Sequence, residues 1–242
     1  TRLPEGNVQA MQQFIGQSPW PWEPLRRQLA KRLTGALEPA ATWVVDDTGC
    51  PKKGTHSVGV ARQYSGTLGK VGNCQVAVSL HFATDDAAVP LDFALYLPEE
   101  WLEEPRRGEA GIPESVTFQP KWALALTLID RAISWSVPKG VVTADAGYGN
   151  TTEFRAGLAE RGLSYAVGIQ GSTAVWEDQG AFATPPKGQR GRPRKKPLAA
   201  GAPVSVSALS QSWPPERWQR IAWREGTKGP LKSRFAAARV LP

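Results

Sequence analysis

TWVVDDTGCPKKG (42–54) is the most informative segment for the fold, because it is an apolar, strand-like run that ends in two aspartates. Asp46 and Asp47 close the run directly before a Thr-Gly pair, which is typical of a turn. Similar β-branched and aromatic runs follow at SVGVARQY (57–64), CQVAVSLHFAT (74–84) and LDFALYL (91–97). Glycine and proline separate these runs, so the spacing predicts antiparallel strands joined by hairpins.

The segment after residue 117 alternates between helix and strand patterns. FQPKWALALTLIDRAISWSV (118–137) has its apolar residues on one helical face, and Pro138 is predicted to end this helix. VVTADA (141–146) and SYAVGIQ (164–170) are predicted strands, and TTEFRAGLAERG (151–162) is a predicted helix between them. Because strand–helix–strand order implies a parallel pair, the chain is predicted to be α/β: a mixed sheet of ribonuclease-H type with flanking helices.

Three regions are predicted along the chain. Residues 1–40 form a helical lead-in, in which leucines recur every four residues from Leu25 to Leu37. Residues 41–170 form the ribonuclease-H-like core. Residues 171–242 hold a basic loop and then renewed strand patterns, including PVSVSAL (203–209), and are interpreted as an incomplete β-rich insertion.

Three carboxylates follow apolar runs and precede glycine turns. Asp46 and Asp47 end the first predicted strand, and Asp145 ends the fourth strand of the ribonuclease-H-type order. Strand ends of this kind meet at one edge of an α/β sheet, where sites form. Converging carboxylates repel unless a divalent cation binds between them, and Mg²⁺ prefers such oxygen ligands. The alternative is that all three aspartates simply form turns.

Composition and charge restrict the class of protein. The 242 residues are 41% hydrophobic and 21% charged, as in a globular protein. No apolar run approaches the ~20 residues that span a bilayer, so no membrane span is predicted. The two cysteines form no disulfide framework and indicate a reducing cytoplasm.

The net charge of +7 is concentrated in one segment. Residues 187–196 (KGQRGRPRKK) hold six lysines and arginines and no acid, and the chain without them is close to neutral. A local cationic patch on a near-neutral body indicates an anionic partner, and nucleic acid is the first candidate.

The basic segment includes RGRPR (190–194), which resembles the core of an AT-hook that lies in narrow A·T minor grooves. The alternative is a solvated loop that contacts phosphates without sequence preference. Further cations flank the first aspartates in sequence, and they either hold the DNA backbone or solvate the hairpin surface. Tyr148 and Trp223 are candidates for stacking on a base, although such aromatics are more often core residues. The candidate DNA-binding residues are Lys52, Lys53, Arg62, Lys70, Arg190, Arg192, Arg194, Lys195 and Lys196.

Several ordered blocks resemble bacterial insertion-sequence DDE transposases, nearest to the insertion-sequence 701-like branch. DDTGCPKKG (46–54), followed by SVGVARQYSGTLGKVGNCQVAVSLH (57–81), resembles the first catalytic block, and ADAGYG (144–149) the second. WREGTKGPLKSRFAA (223–237) is similar to a strand segment of the family's β insertion. The resemblance implies an RNase H-like fold with a β insertion before the last catalytic helix.

The resemblance also implies an activity and its partners. These are cleavage and strand transfer at transposon ends with Mg²⁺, or Mn²⁺ as its substitute, by a homodimer on double-stranded DNA near the bacterial nucleoid. Carried over by position, the first catalytic aspartate falls on the Asp46–Asp47 pair, and Asp47 is favoured as metal ligand because it precedes Thr48. The second falls on Asp145.

The sequence departs from the family pattern at the third carboxylate. This carboxylate is a glutamate on a helix after the insertion, and no matching segment occurs before Pro242. We therefore expect a fragment without the C-terminal part, which binds metal weakly and cleaves poorly or not at all. One alternative is a non-catalytic DNA-binding derivative. Another is a ribonuclease-H-like nuclease whose third ligand is Glu153 or Asp130.

Overall fold

A computed structural model describes residues 7–19, 21–37, 42–177, 182–183, 198–199 and 202–241. The chain divides into two compact units, Thr1–Gly168 and Ile169–Pro242. Part of the predicted DNA-binding set lies outside the described residues, namely Arg190, Arg192, Arg194, Lys195 and Lys196.

The first unit is a mixed sheet with flanking helices. Its strands are β1 (Thr42–Pro51), β2 (Ala61–Ser65), β3 (Lys70–Ala83), β4 (Ala88–Leu95), β5 (Val141–Ala144) and β6 (Tyr165–Val167). Its α-helices are α1 (Val8–Gln17), α2 (Trp22–Gly35), α3 (Arg106–Glu109), α4 (Lys121–Ser134), α5 (Ala146–Gly149) and α6 (Thr152–Glu160).

The strand order of this sheet is β2-β3-β1-β5-β6, and β4 also pairs with β3. The hairpin strands pair antiparallel, whereas β1, β5 and β6 run parallel. The predicted mixed α/β sheet is confirmed, and the arrangement is consistent with an RNase H-like domain. The parallel pairing of β1 and β5 brings together the two segments that carry the candidate aspartates.

The core lies between one face of the sheet and α4. Side chains alternate along β1, so Trp43 and Val45 are fully buried on this face, as is Phe82 of β3. Leu128 and Ile129 of α4 pack against the same cluster. Burial of each such large side chain contributes about 1.5–3 kcal/mol, which fixes the register of β1.

Helix α4 is shorter than the predicted 118–137. It begins at Lys121 because Pro120 has extended backbone angles and serves as the N-cap residue. It ends at Ser134, two residues before Ser136, whose positive φ of 61° is incompatible with a continuing helix. This start places Lys121 at the helix N-terminus.

A buried carboxylate joins α2 to the sheet. Asp92 of β4 is 1% exposed and forms ion pairs with Arg26 of α2 and Arg131 of α4. The Arg131 Nη1 atom lies 2.5 Å from Asp92 Oδ2. Since a buried carboxylate needs such partners, Asp92 ties the helical segment before β1 to the core.

In its described residues, the second unit has small sheets and one short α-helix. Its strands are β7 (Ala174–Glu177), β8 (Phe182–Ala183), β9 (Leu198–Ala199), β10 (Val204–Ser205), β11 (Gln219–Gly226), β12 (Gly229–Phe235) and β13 (Val240–Leu241). Helix α7 spans Val206–Ser212, so the strand predicted over 203–209 is wrong for most of its length. The hydroxyl of Ser205 accepts a hydrogen bond from the Ala208 amide and caps this helix.

Candidate active site

Two of the candidate carboxylates occupy neighbouring positions on parallel strands. Val45 of β1 pairs with Ala144 of β5, and the next residue after each of them is an aspartate, Asp46 and Asp145 respectively. Asp145 keeps extended backbone angles just beyond the end of β5. Residues in register on adjacent strands point to the same face, so we expect these two carboxylates on one face of the sheet, where β5 ends.

Asp47 lies one residue further along β1, beyond the end of β5, and its two oxygens are held by different elements. The Lys121 Nζ atom, at the start of α4, lies 2.5 Å from Asp47 Oδ2. The Tyr148 hydroxyl, in α5, donates a hydrogen bond to Asp47 Oδ1. The carboxylate is therefore fixed in orientation by one cation and one neutral donor.

The charges of all three candidate aspartates raise the pKa of the Tyr148 hydroxyl. Burial, the charge of Asp47 and its hydrogen bond raise the pKa of the Tyr148 hydroxyl well above its usual range, and Asp145 and Asp46 raise it further. The hydroxyl thus stays protonated and serves as a donor to Asp47. The charges of all three carboxylates act on this hydroxyl, and Asp47 is the one that is hydrogen-bonded to it.

Of the two alternatives for Tyr148, base stacking and a core position, the structure supports the core position. Its ring is 4% exposed and packs against Phe154, with 5.6 Å between ring centroids, so it is not accessible to a base. Trp223, the other aromatic candidate, is 54% exposed and contacts Phe235 edge to face.

Asp145 and Asp46 are exposed and are engaged locally. The Asp145 side chain caps α5 by accepting a hydrogen bond of 2.9 Å from the Gly147 amide. Asp46 accepts a 2.7 Å hydrogen bond from the amide of Asp47. These contacts orient each carboxylate without neutralising its charge, so both remain suitable as ligands for a hard cation.

The packing of α5, which follows Asp145, depends on the close approach of Gly149 to Gly168. A Cβ atom at Gly149 would lie 2.0 Å from the carbonyl oxygen of Gly168 and 2.9 Å from the side chain of Val167. Glycine at this position therefore lets α5 sit against the end of β6. This packing sets the position of Tyr148 relative to Asp47.

The four predicted DNA-binding cations of the first unit lie in or directly after the strands β1, β2 and β3. Lys52 and Lys53 follow β1, Arg62 is in β2, and Lys70 begins β3. All four are exposed, and within the described ranges none of them forms an ion pair with Asp46, Asp47 or Asp145. Strand alternation places Arg62 on the face of Asp46 and Lys70 on the face of Asp47.

Neither of the alternative third ligands is brought to this edge as part of a carboxylate cluster. Asp130 of α4 accepts two hydrogen bonds of 2.6 Å from Arg161, and Glu153 is exposed on α6. In the part of the chain that the structure describes, no three His, Cys, Asp or Glu side chains are arranged to hold a metal ion. The carboxylate oxygens of these aspartates are nevertheless the ligand type that a hard divalent cation prefers. The Lys121 ammonium already lies against Asp47 as a cation.

Lys121 is the residue that sequence reasoning missed. One signal was present, because Lys121 directly follows a proline at the start of a strongly patterned helix. A cation is unfavourable at a helix N-terminus, where the macrodipole is positive. Such a lysine needs a nearby anion, and Asp47 supplies it.

The mixed sheet with flanking helices is consistent with an RNase H-like domain, and comparisons with known proteins give the family. The model of the DDE superfamily endonuclease family matches residues 1–230, and the chain belongs to this family. Enzymes of this family generally use divalent metal ions.

A curated relative comes from Microchaete diplosiphon and is described as a probable transposase for insertion sequence element IS701. It is 32% identical to this chain over 171 residues, which are 70% of this chain and 42% of the relative. The chain therefore spans less than half the length of that relative. Among the described residues, none of the helices combines the length and apolar character needed to cross a membrane.

Proposed function

We propose that this chain is a catalytic region of an insertion-sequence transposase, which cleaves phosphodiesters at transposon ends and joins the freed 3′ ends to target DNA. The observation that carries the proposal is the parallel pairing of β1 with β5, which ends at Val45 and Ala144, the residues that directly precede Asp46 and Asp145. Membership of the DDE superfamily endonuclease family and the likeness to a probable transposase support it.

In this proposal, Asp47 and Asp145 hold the catalytic cation, and Asp46 is a neighbouring ligand or the alternative to Asp47. The cation is Mg²⁺, with Mn²⁺ as its substitute, because carboxylate oxygens suit both. Bound there, it supplies an acidified water as nucleophile and charge stabilisation for the leaving oxygen. Tyr148 fixes the Asp47 carboxylate, and the α5 cap fixes that of Asp145.

The β11–β12 hairpin of the second unit supports a nucleic-acid partner. Arg220 pairs directly with Arg234 across the hairpin, and Lys232 pairs with Ala222 on the same face. Like charges opposite one another destabilise a hairpin, and an anion relieves that repulsion. All three cations are exposed, so this face suits a phosphate backbone.

Double-stranded DNA is the proposed partner, as transposon end and as target. The hairpin cations are joined in this role by Lys52, Lys53, Arg62 and Lys70 of the first unit, and by the basic residues of 187–196. The active form on DNA is proposed to be a homodimer, associated with the nucleoid in the bacterial cytoplasm.

A variant in which three hairpin cations become alanine tests the DNA contact. We expect weaker binding and a slope of log Kobs against log salt that is reduced by about 2–3, because each lost phosphate contact releases about 0.9 fewer counterions. Fluorescence anisotropy with a duplex at several salt concentrations measures this slope. The substituted residues are Arg220, Lys232 and Arg234.

The matched control removes the same charge from the exposed face of α2, by alanine substitution of Arg27, Lys31 and Arg32. The control is expected to change the slope by less than about 1. Equal slopes in the two variants would show that only net charge matters and that the hairpin makes no specific phosphate contacts.

A second candidate function is a non-catalytic DNA-binding derivative. It is favoured by the lack of a three-acid group in the described ranges, where both oxygens of Asp47 are occupied by protein groups. Incubation of supercoiled plasmid with the chain and Mn²⁺, beside a binding assay on the same DNA, separates the two. Nicking that requires Mn²⁺ and disappears in Asp145→Asn supports the transposase, whereas binding without nicking supports the derivative.

A further inference from the structure

We propose that Lys121 is a tethered counter-ion that occupies the cation position at Asp47 and has to leave it before a divalent cation binds there. This inference rests on the proposed function, in which Asp47 is a metal ligand. It assigns to Lys121 a control of metal loading, and the geometry that supports it involves Asp47 and Tyr148.

The two groups on Asp47 differ in their freedom to move. Tyr148, on Oδ1, is 4% exposed and enclosed by α5 and α6. Lys121, on Oδ2, keeps a third of its side chain exposed and carries its charge on a flexible four-carbon stem. A cation that approaches Asp47 therefore displaces the Lys121 ammonium from Oδ2, while Tyr148 continues to hold Oδ1.

The position of Lys121 in its helix favours this exchange. Lys121 is the first residue of α4, where the positive end of the helix dipole disfavours a cation. The ammonium therefore depends on the negative charge of Asp47, which a bound divalent cation neutralises. The ring of Tyr96, 5.3 Å from Nζ, adds a cation–π contact to the ammonium in its present position, which the exchange has to overcome.

The test is a titration of Mn²⁺ into the chain, with free Mn²⁺ followed by electron paramagnetic resonance. Lys121→Met keeps the length of the side chain and removes its charge. We expect the Mn²⁺ dissociation constant to fall about tenfold, because a monovalent cation no longer repels the divalent one at a few ångströms. Lys121→Arg keeps the charge and is expected to remain within about twofold of the unmodified chain.

Lys139→Met is the matched control, since it removes the same charge beyond the opposite end of β5, two residues before that strand begins. Its dissociation constant is expected to match that of the unmodified chain. Because Lys121→Met also removes a partner of Asp47, the melting temperature is measured with and without Mn²⁺. We expect a lower value without metal and a larger rise on its addition than in the unmodified chain.

The outcomes separate this inference from the function on which it rests. If Asp47→Asn loses Mn²⁺ binding while Lys121→Met binds no tighter than Lys139→Met, the counter-ion role is overturned and the proposed metal site stands. If Asp47→Asn binds Mn²⁺ as well as the unmodified chain does, the metal-ligand role of Asp47 fails, and the counter-ion role fails with it.

Discussion

Asp47→Asn and Asp145→Asn are each expected to weaken Mn²⁺ binding by at least about 100-fold, while leaving duplex binding unchanged. Asparagine keeps the shape of the side chain but removes the negative charge that a hard cation requires, and loss of a direct ligand exceeds the 10–100-fold effect of losing an outer-shell partner. Isothermal titration calorimetry measures the Mn²⁺ affinity, and fluorescence anisotropy measures the DNA affinity. Any Mn²⁺-dependent nicking is lost in parallel.

The matched control for these variants is Asp130→Asn, because Asp130 is paired with Arg161 and is not one of the proposed ligands. It is expected to bind Mn²⁺ like the unmodified chain. Asp46→Asn then distinguishes the two neighbouring aspartates: a loss smaller than that of Asp47→Asn assigns Asp47 as the main ligand on β1. Unchanged affinity in Asp145→Asn would contradict the proposed site.

Gly149→Ala is expected to lower the free energy of unfolding by about 3 kcal/mol. The added Cβ would lie 2.0 Å from the Gly168 carbonyl oxygen, and a backbone atom in a packed strand end cannot move aside cheaply. In a unit of this size the change corresponds to a melting temperature lower by roughly 6–12 °C. Differential scanning calorimetry measures it, without any need for metal or DNA.

The control for Gly149→Ala is Gly54→Ala, at a glycine with no other atom within 4 Å of the added Cβ. Its melting temperature is expected to stay within about 2 °C of the unmodified chain, since surface changes of this kind alter stability by less than about 0.5 kcal/mol. If Gly149→Ala melts at the same temperature as Gly54→Ala, the close packing of α5 on β6 does not hold in solution.

The sheet could be predicted from sequence because its signals are local. Alternating buried residues along β1 and the β-branched runs mark the strands without reference to distant partners. The failure at 203–209 has a physical cause. Val204 and Val206 alternate with serine as in a strand, but the Ser205 hydroxyl caps the Ala208 amide and starts a helix.

The candidate carboxylates were proposed because each follows an apolar, strand-like run. Asp145 does follow β5, whereas Asp46 and Asp47 lie inside β1, which continues through Thr48 and Gly49 to Pro51, so the predicted strand end and turn at this point are wrong. The role of the three aspartates as ligands stays a prediction. Lys121 and Tyr148 contact Asp47 from 74 and 101 residues away along the chain, and neither contact has a sequence period or spacing to reveal it. Tyr148 was considered by its type alone, as a stacking aromatic or a core residue, and its hydrogen bond to Asp47 was not anticipated.

Asp47 of β1 and Asp145, which follows β5, are proposed to form one cation site. The anomalous difference map of a crystal soaked in saturating Mn²⁺ tests this directly. We expect a peak at about 2.0–2.3 Å from oxygens of Asp47 and Asp145, with Lys121 moved away from Asp47. An empty edge with Lys121 still on Asp47, or ordered Mn²⁺ only elsewhere, would contradict it.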